Sequence, residues 1–460
     1  MVRLFHAYFP TRTLLLCMSE LLLVLLSLVI GTVVSTGLAD ADLALMYEGG
    51  LMKIALITGV VFVWMYYFDL YDTNVLGNRR EVFTRITQVF GATCASLAAI
   101  YYVFPETQLT MAVLGTGSVC VVIAWTGGRR LFLQVNTASY FAERTLFLGH
   151  GPLIKPLIDD IKARPELGLA PIGIVSDESV QASAPMLGDP SQLMDIVVSK
   201  KIDRVVIDMA ERRGKLPVDA LLELKTCGVT IQDAGELYEV IEGRIPLQSL
   251  KVSWLLFSPG FQPTRGLLIY KRLLSIVLAT SGLLISLPVM ALVAIAIRLD
   301  SAGDVVFRQK RVGKDGRVFT LYKFRSMYVD CDVAGENRPA TKNDNRITRV
   351  GKFLRRSRLD ELPQLWNIVR GDMYIVGPRP FVCSQEEEYA KEIPFYRQRW
   401  VVRPGATGWA QVNRPYCATI EDNREKLEYD LFYIKNASFG LDVLILFKTL
   451  KILLLGRGGM

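Results

Sequence analysis

The sequence predicts a membrane α plus α/β architecture: a four-helix transmembrane leader, a Rossmann-like α/β domain, and a C-terminal α+β domain carried on a re-entrant membrane helix. Three observations predict it. Apolar runs near 13–38, 51–68, 86–104 and 109–126 each have about the length that a helix needs to cross a bilayer. From 143 to 250, short strand-like runs alternate with helical patterns. A fifth apolar stretch, near 270–297, then introduces a region dense in Arg, Lys, Gly and Pro. The expected domains are 1–135, 143–250 and 265–460.

In the leader the flanking charges alternate. Arg3 and Arg12 precede the first run, and Asp40, Asp42 and Glu48 follow it. Arg79, Arg80 and Arg85 fill the second connection, and Arg129 and Arg130 close the fourth run. The positive-inside rule then places the N-terminus, the second connection and everything after residue 128 on the cytoplasmic side. The first run shows no small-residue cleavage pattern and leads into further spans, so a cleavable signal peptide is not expected. Glu20 lies inside that run, where an acid is either functional or turned toward other helices or an interface.

The runs 144–149, 171–175 and 203–208 read as buried strands, and Gly149 and Gly151 form a glycine turn after the first. Ile154 stands where a dinucleotide fingerprint wants its third glycine, so a structural or regulatory module is expected over a cofactor site.

The fifth apolar stretch has Ser286 and Pro288 at its middle, and proline removes a backbone donor and kinks or breaks a helix. It is either a kinked span or a re-entrant hairpin. Arg265, Lys271 and Arg272 stand before it, and Arg298, Arg308 and Lys310 after it. A true span would export a strongly basic domain, so re-entry is expected, with the break at Ser286 and Pro288.

Composition narrows the chemistry. With 51% hydrophobic residues the chain reads as a membrane protein with large water-exposed parts. Seven scattered cysteines without a Cys-x-x-Cys pair argue against a disulfide framework or a zinc site. Two histidines, His6 and His150, nearly exclude imidazole base chemistry, and any metal is expected on oxygen ligands, as Mg²⁺ or Mn²⁺. A net charge of +8 suits anionic headgroups or phosphorylated substrates, and no motif points to nucleic acid.

Asp360 and Glu361 carry the most information. They follow Lys352, Arg355, Arg356 and Arg358 and precede Pro363, which is tolerated only in a first helical turn. The local expectation is a helix starting near Asp360, whose positive end would hold the Asp360 carboxyl down and attract a diphosphate. The alternative is a helix cap with an exposed ion pair. Lys323 and Arg325 fall on one face of a strand-like run at 321–327, after a basic hairpin at 307–317. Asn343, Asp344 and Arg346 precede the acidic pair; Gly377, Pro378, Arg379 and Pro380 follow it, and then Arg403, Gly405, Gly408, Trp409 and Gln411. Glu386, Glu387 and Glu388 read as a solvated helix face, and Arg397, Arg399 and Trp400 as interfacial groups.

In this order, from about residue 265 onward, these motifs resemble the monotopic polyprenyl-phosphate phosphoglycosyl transferases, the bacterial sugar transferases that begin glycan assembly on undecaprenyl phosphate. The leader makes the whole chain resemble the large members, which include enzymes of exopolysaccharide and capsule synthesis and of PEP-CTERM/exosortase loci. The resemblance implies transfer of hexose 1-phosphate from a UDP-hexose to undecaprenyl phosphate with Mg²⁺, among membrane lipids of the bacterial inner membrane, on its cytoplasmic face and as a homodimer. Residue by residue, it implies Asp360 as nucleophile and Glu361 as the Mg²⁺ ligand. Lys323, Arg355 and Arg379, with Arg325 beside them, are implied to hold phosphate oxygens, and Arg403 and Gln411 to lie on the nucleotide side. Ser286 and Pro288 match the re-entrant break, although the adjacent serine–proline pair of some members is absent.

Two other classes compete. A membrane nucleotide-sugar dehydratase needs a Tyr-x-x-x-Lys, and no tyrosine here has lysine four residues on. A non-enzymatic scaffold of polysaccharide export would leave the carboxylate pair structural, and uridine nucleotide release separates it from the transferase.

Overall fold

The computed structural model describes residues 2–4, 7–71, 79–137, 142–178, 180–209, 216–250, 252–258, 260–329, 344–414 and 419–454, so Asn343 of the motif above lies outside them. The chain forms two compact units, one holding Phe9–Ala234 and the other Gly235–Met460.

The first unit begins with four long helices, α1 (Thr11–Thr36), α2 (Gly50–Tyr67), α3 (Arg79–Val103) and α4 (Met111–Thr137). Each contains a stretch long and apolar enough to cross a membrane. Small residues bring α1 and α4 together: a Cβ on Gly31 would lie 2.7 Å from the Gly117 Cα, and the Ser35 and Thr116 hydroxyls are 2.9 Å apart. Glu20 is turned toward this neighbour. Its carboxylate accepts from Arg129 Nε at 2.5 Å and Nη2 at 3.1 Å, and both residues are buried. Removing one partner of such a pair strands a charge, at roughly 3–5 kcal/mol. Arg129→Met is therefore expected to lower thermal stability in detergent, and the double variant with Glu20→Leu to recover most of the loss, as read by loss of soluble protein on heating.

The same unit holds a five-stranded sheet of β1 (Glu143–Gly149), β2 (Leu169–Val175), β3 (Met186–Gly188), β4 (Arg204–Asp208) and β5 (Thr230–Asp233). The strands are parallel in the order β3-β2-β1-β4-β5, with α5 (Ile154–Ala163), α6 (Leu193–Lys200) and α7 (Val218–Thr226) in the connections. Leu146, Phe147, Leu148, Val205 and Val206 are fully buried, which is why the central strands read as continuous apolar runs. The edge strands β3 and β5 escaped the sequence reading: they span 3 and 4 residues and are partly exposed. Leader and sheet share one unit, with Arg12 Nη1 donating to the Pro165 carbonyl at 3.3 Å.

The expected boundary at 250 moves. After β5, helix α8 (Ala234–Glu242) and the following turn pack onto the C-terminal unit. Lys435 reaches Glu239 at 2.6 Å, Trp409 Nε1 donates to the Gly243 carbonyl at 2.7 Å, and Leu247 N donates to Glu428 at 3.0 Å. These partners lie some 180 residues downstream, beyond the reach of any local pattern.

In the second unit the fifth apolar stretch is one helix, α9 (Arg265–Asp300), with Pro288 inside it. The expected hairpin with a break at Ser286 and Pro288 is thus a continuous element. Proline deletes one donor and leaves the rest of the ladder, and Ser286 Oγ donates to the Leu283 carbonyl at 3.4 Å beside that gap. Positions 271, 275, 279, 282, 286, 290, 293 and 297 are buried or half-buried, a helical stripe along the whole length. The opposite side is apolar and exposed, with Leu284 at 69%, Ile285 at 78% and Leu292 at 68%.

The remaining elements build on that stripe. They are the antiparallel hairpin β6 (Val306–Val312) and β7 (Val318–Phe324), α10 (Arg349–Ser357), α11 (Gln364–Arg370), β8 (Tyr374–Val376), α12 (Cys383–Glu392), β9 (Gly405–Thr407), α13 (Trp409–Asn413), α14 (Ile420–Asn436) and α15 (Phe439–Leu454). Lys271 pairs with Asp442, Ala279 clusters with Leu321, Ile368 and Met373, and Val293 and Ile297 with Phe324 and Leu354, so both ends of α9 and its middle pack on the same unit.

Candidate active site

Asp360 and Glu361 sit in a single 3₁₀ turn, Leu359–Glu361, between α10 and α11. Thr348 caps α10, its side chain accepting from Gly351 N at 2.9 Å. Gly351 lets α10 approach the end of β7: a Cβ there would lie 2.1 Å from the Ser326 carbonyl. Arg358 then takes a positive φ of 58°, which turns the chain so that the acidic pair faces the hairpin. Helix α11 begins only at Gln364, with Pro363 preceding it, so Asp360 neither caps a helix nor opens one.

Glu361 holds the cations. Its Oε1 accepts from Arg379 Nη2 at 2.7 Å and from Lys323 Nζ at 3.0 Å, with Arg358 Nη1 at 3.9 Å. Burial works to raise the Glu361 carboxyl, but Arg379 and Lys323 outweigh it and hold it well below the ordinary glutamate range. Burial also pulls the Lys323 ammonium down, against Glu361.

Asp360 is the other half of the pair. It is buried, and its Oδ1 has no hydrogen-bond partner among the described residues. Burial pushes its carboxyl up; Lys323 opposes this, and Glu361 adds to it. The expectation that a helix end would hold Asp360 down is overturned, because the turn supplies no helix terminus and the nearest cations are spent on Glu361.

Arg355 Nε donates to Ser326 Oγ at 2.8 Å, and its charge bears on Asp360. Arg325 goes elsewhere. Its guanidinium donates to the Ser301 and Ala302 carbonyls at 2.7 and 2.8 Å and clasps the end of α9. It follows β7 instead of lying within it, so alternation no longer sets its direction, and its expected phosphate role is not supported by its position. Arg403 lies over the Tyr374 ring at 5.3 Å, and Gln411 Nε2 donates to the Ala406 carbonyl at 3.1 Å. Both belong to the β8–β9 region, and no described contact joins them to Glu361.

Glu386 is a further correction. It is buried, paired with Arg399 at 3.2 Å, and accepts from Trp400 Nε1 at 2.9 Å, while Arg399 also reaches Asp430 at 2.9 Å. Only Glu387 and Glu388 are exposed. Arg399 is an internal strut, not an interfacial cation, because α14 brings Asp430 to it.

Some supporting residues gave no sequence signal. Asn367, fully buried on α11, donates to the Thr320 carbonyl at 2.7 Å and accepts from Tyr322 N at 3.0 Å, which fixes β7 and hence Lys323. Lys271, read as a flanking charge, is buried against Asp442 at 2.8 Å and donates to the Val376 carbonyl at 3.2 Å. That carbonyl precedes Gly377, where β8 approaches β9 closely and Arg379 leaves toward Glu361.

A Mg²⁺ ion commonly takes one or two carboxylates and completes its shell with water and substrate phosphates. The adjacent carboxylates of Asp360 and Glu361 supply the oxygen chemistry that such a site uses, and no cluster of three or more His, Cys, Asp or Glu occurs among the described residues.

A carboxylate pair ringed by Lys323, Arg355, Arg358 and Arg379 has the charge that phosphate chemistry uses, and the long apolar helices are compatible with an integral membrane protein. Comparison with known proteins carries this further. The pattern of the bacterial sugar transferase family matches residues 267–456, and that of a CoA-binding domain matches residues 66–232. A UDP-glucose:undecaprenyl-phosphate glucose-1-phosphate transferase of Xanthomonas campestris pv. campestris is 33% identical over 354 residues, 72% of this chain and 71% of its own. Its namesake in Escherichia coli (strain K12) is 37% identical over 64% of each chain. A UDP-N-acetylgalactosamine-undecaprenyl-phosphate N-acetylgalactosaminephosphotransferase of Aeromonas hydrophila is 42% identical over 230 residues, which span 50% of this chain and only 53% of that relative. The chain belongs to the bacterial sugar transferase family, the polyprenyl-phosphate sugar-phosphate transferases.

Proposed function

We propose that the chain transfers hexose 1-phosphate from a UDP-hexose to undecaprenyl phosphate through a covalent aspartyl intermediate, at the cytoplasmic face of a bacterial inner membrane, as the first step of exopolysaccharide or capsule repeat-unit synthesis. The observation that carries it is the division of labour between the carboxylates: Glu361 binds Lys323 and Arg379, while the Asp360 Oδ1 is left unpartnered.

An Asp360 carboxylate oxygen attacks the β-phosphorus of the UDP-hexose, the bond to the bridging oxygen breaks, and UMP leaves. A phosphate oxygen of the lipid then attacks the same phosphorus, which frees the carboxylate and yields the lipid diphosphate sugar. No general base is required, in keeping with a site without histidine. Lys323, Arg355 and Arg379 neutralise the equatorial oxygens, and Glu361 holds Lys323 and Arg379 in place. Mg²⁺, held by Glu361 with Asp360 beside it, would neutralise diphosphate charge when bound.

We propose a re-entrant course for α9 although the helix is unbroken, and the packing of α9 is what supports it. A helix whose two ends pack on one unit through a continuous stripe cannot deliver that unit to both sides of a bilayer, and its exposed apolar side suits lipid. Re-entry sets the carboxylates at headgroup depth, where a lipid phosphate and a soluble nucleotide sugar can meet.

Detergent-solubilised protein is expected to release UMP from one member of a UDP-sugar panel only with undecaprenyl phosphate and Mg²⁺, and to lose that release in EDTA and regain it with added Mg²⁺. Release of UMP from no donor would favour the scaffold reading.

A further inference from the structure

The family pattern over residues 66–232 is that of a CoA-binding domain, so the sheet calls for a test of fit to a nucleotide. In an open parallel sheet, ligands bind outside the carboxyl ends of the strands where the order reverses. Here that point lies between β1 and β4, where Gly149 pairs with Asp208. The glycine turn that would admit a pyrophosphate is already filled. Gly151 N donates to the Asp208 carbonyl at 2.9 Å, and Leu153 N donates to the Asp208 carboxylate at 2.8 Å. A Cβ on Gly151 would lie 2.0 Å from the Asp208 Cγ and 2.2 and 2.3 Å from its carboxylate oxygens. One donor that a phosphate would use is taken by the Asp208 main-chain carbonyl, and the other donor and the space by its carboxylate.

We infer that Asp208 is a built-in substitute for phosphate, so that this domain takes neither CoA nor a dinucleotide at its switch point and keeps its glycine turn closed by its own carboxylate. Glycine is then required at 151 by Asp208, not by a ligand.

The test uses the full chain in detergent. Equilibrium dialysis against CoA, and separately NAD, at millimolar concentrations is expected to show no saturable retention; saturable binding of either would overturn the inference. Gly151→Ala supplies the second measurement, in the absence of nucleotide. Because the carboxylate occupies the space, this variant is expected to melt several degrees lower or fail to fold, and Gly151→Ala with Asp208→Ala is expected to recover. A Gly151→Ala protein that melts like wild type would show that Asp208 does not fill the turn.

Discussion

Asp360→Asn is expected to reduce UMP release by about four orders of magnitude or more, the scale on which loss of a covalent nucleophile acts. Asparagine has nearly the shape of aspartate, so the turn, Lys323 and Arg379 keep their places, but its amide forms no acyl phosphate. Wild type given donor labelled at the β-phosphate, without lipid acceptor, is expected to retain label on protein, and the variant none. Label on the variant, or normal turnover, would move the nucleophile elsewhere. Glu361→Gln behaves differently, because it removes the acceptor of two cations. Donor affinity and kcat should then fall together as Arg379 and Lys323 lose their anchor.

Lys271→Met is expected to be the most damaging substitution of a residue outside the carboxylate cluster. Its ammonium binds Asp442, Tyr433 and the Val376 carbonyl, all buried, and its loss strands the Asp442 carboxylate at roughly 3–5 kcal/mol. The carbonyl it holds is two residues before Pro378 and three before Arg379, so activity should fall along with stability. Lys271→Met with Asp442→Leu removes both charges and is expected to recover folding, read as protease resistance in detergent. If the single variant is as resistant as wild type, Lys271 does not hold α9 to α15 and β8.

Much of the fold was legible because single segments carry it. The long apolar runs declared α1 to α4 and α9, and the buried runs declared β1, β2 and β4, since a segment that must satisfy its backbone in an apolar setting shows this in its own residues. The short, half-exposed β3 and β5 carry no such mark, and the unbroken course of α9 through Pro288 rests on packing along its stripe.

The site divides in the same way. The sequence by itself determined the chemical inventory, a carboxylate pair among Lys and Arg with two histidines in the chain, and the order of motifs that places it in its family. Only the tertiary structure decided which carboxylate binds the cations and which keeps an oxygen without a hydrogen-bond partner, that Arg325 clasps a helix end, and that Glu386, Arg399 and Lys271 are internal struts. The physical reason is range. Hydrophobic periodicity and turn chemistry act over a few residues, whereas a side chain's charge partner and burial are set by segments 13 to 171 residues away, as Arg399 with Glu386 and Lys271 with Asp442 show.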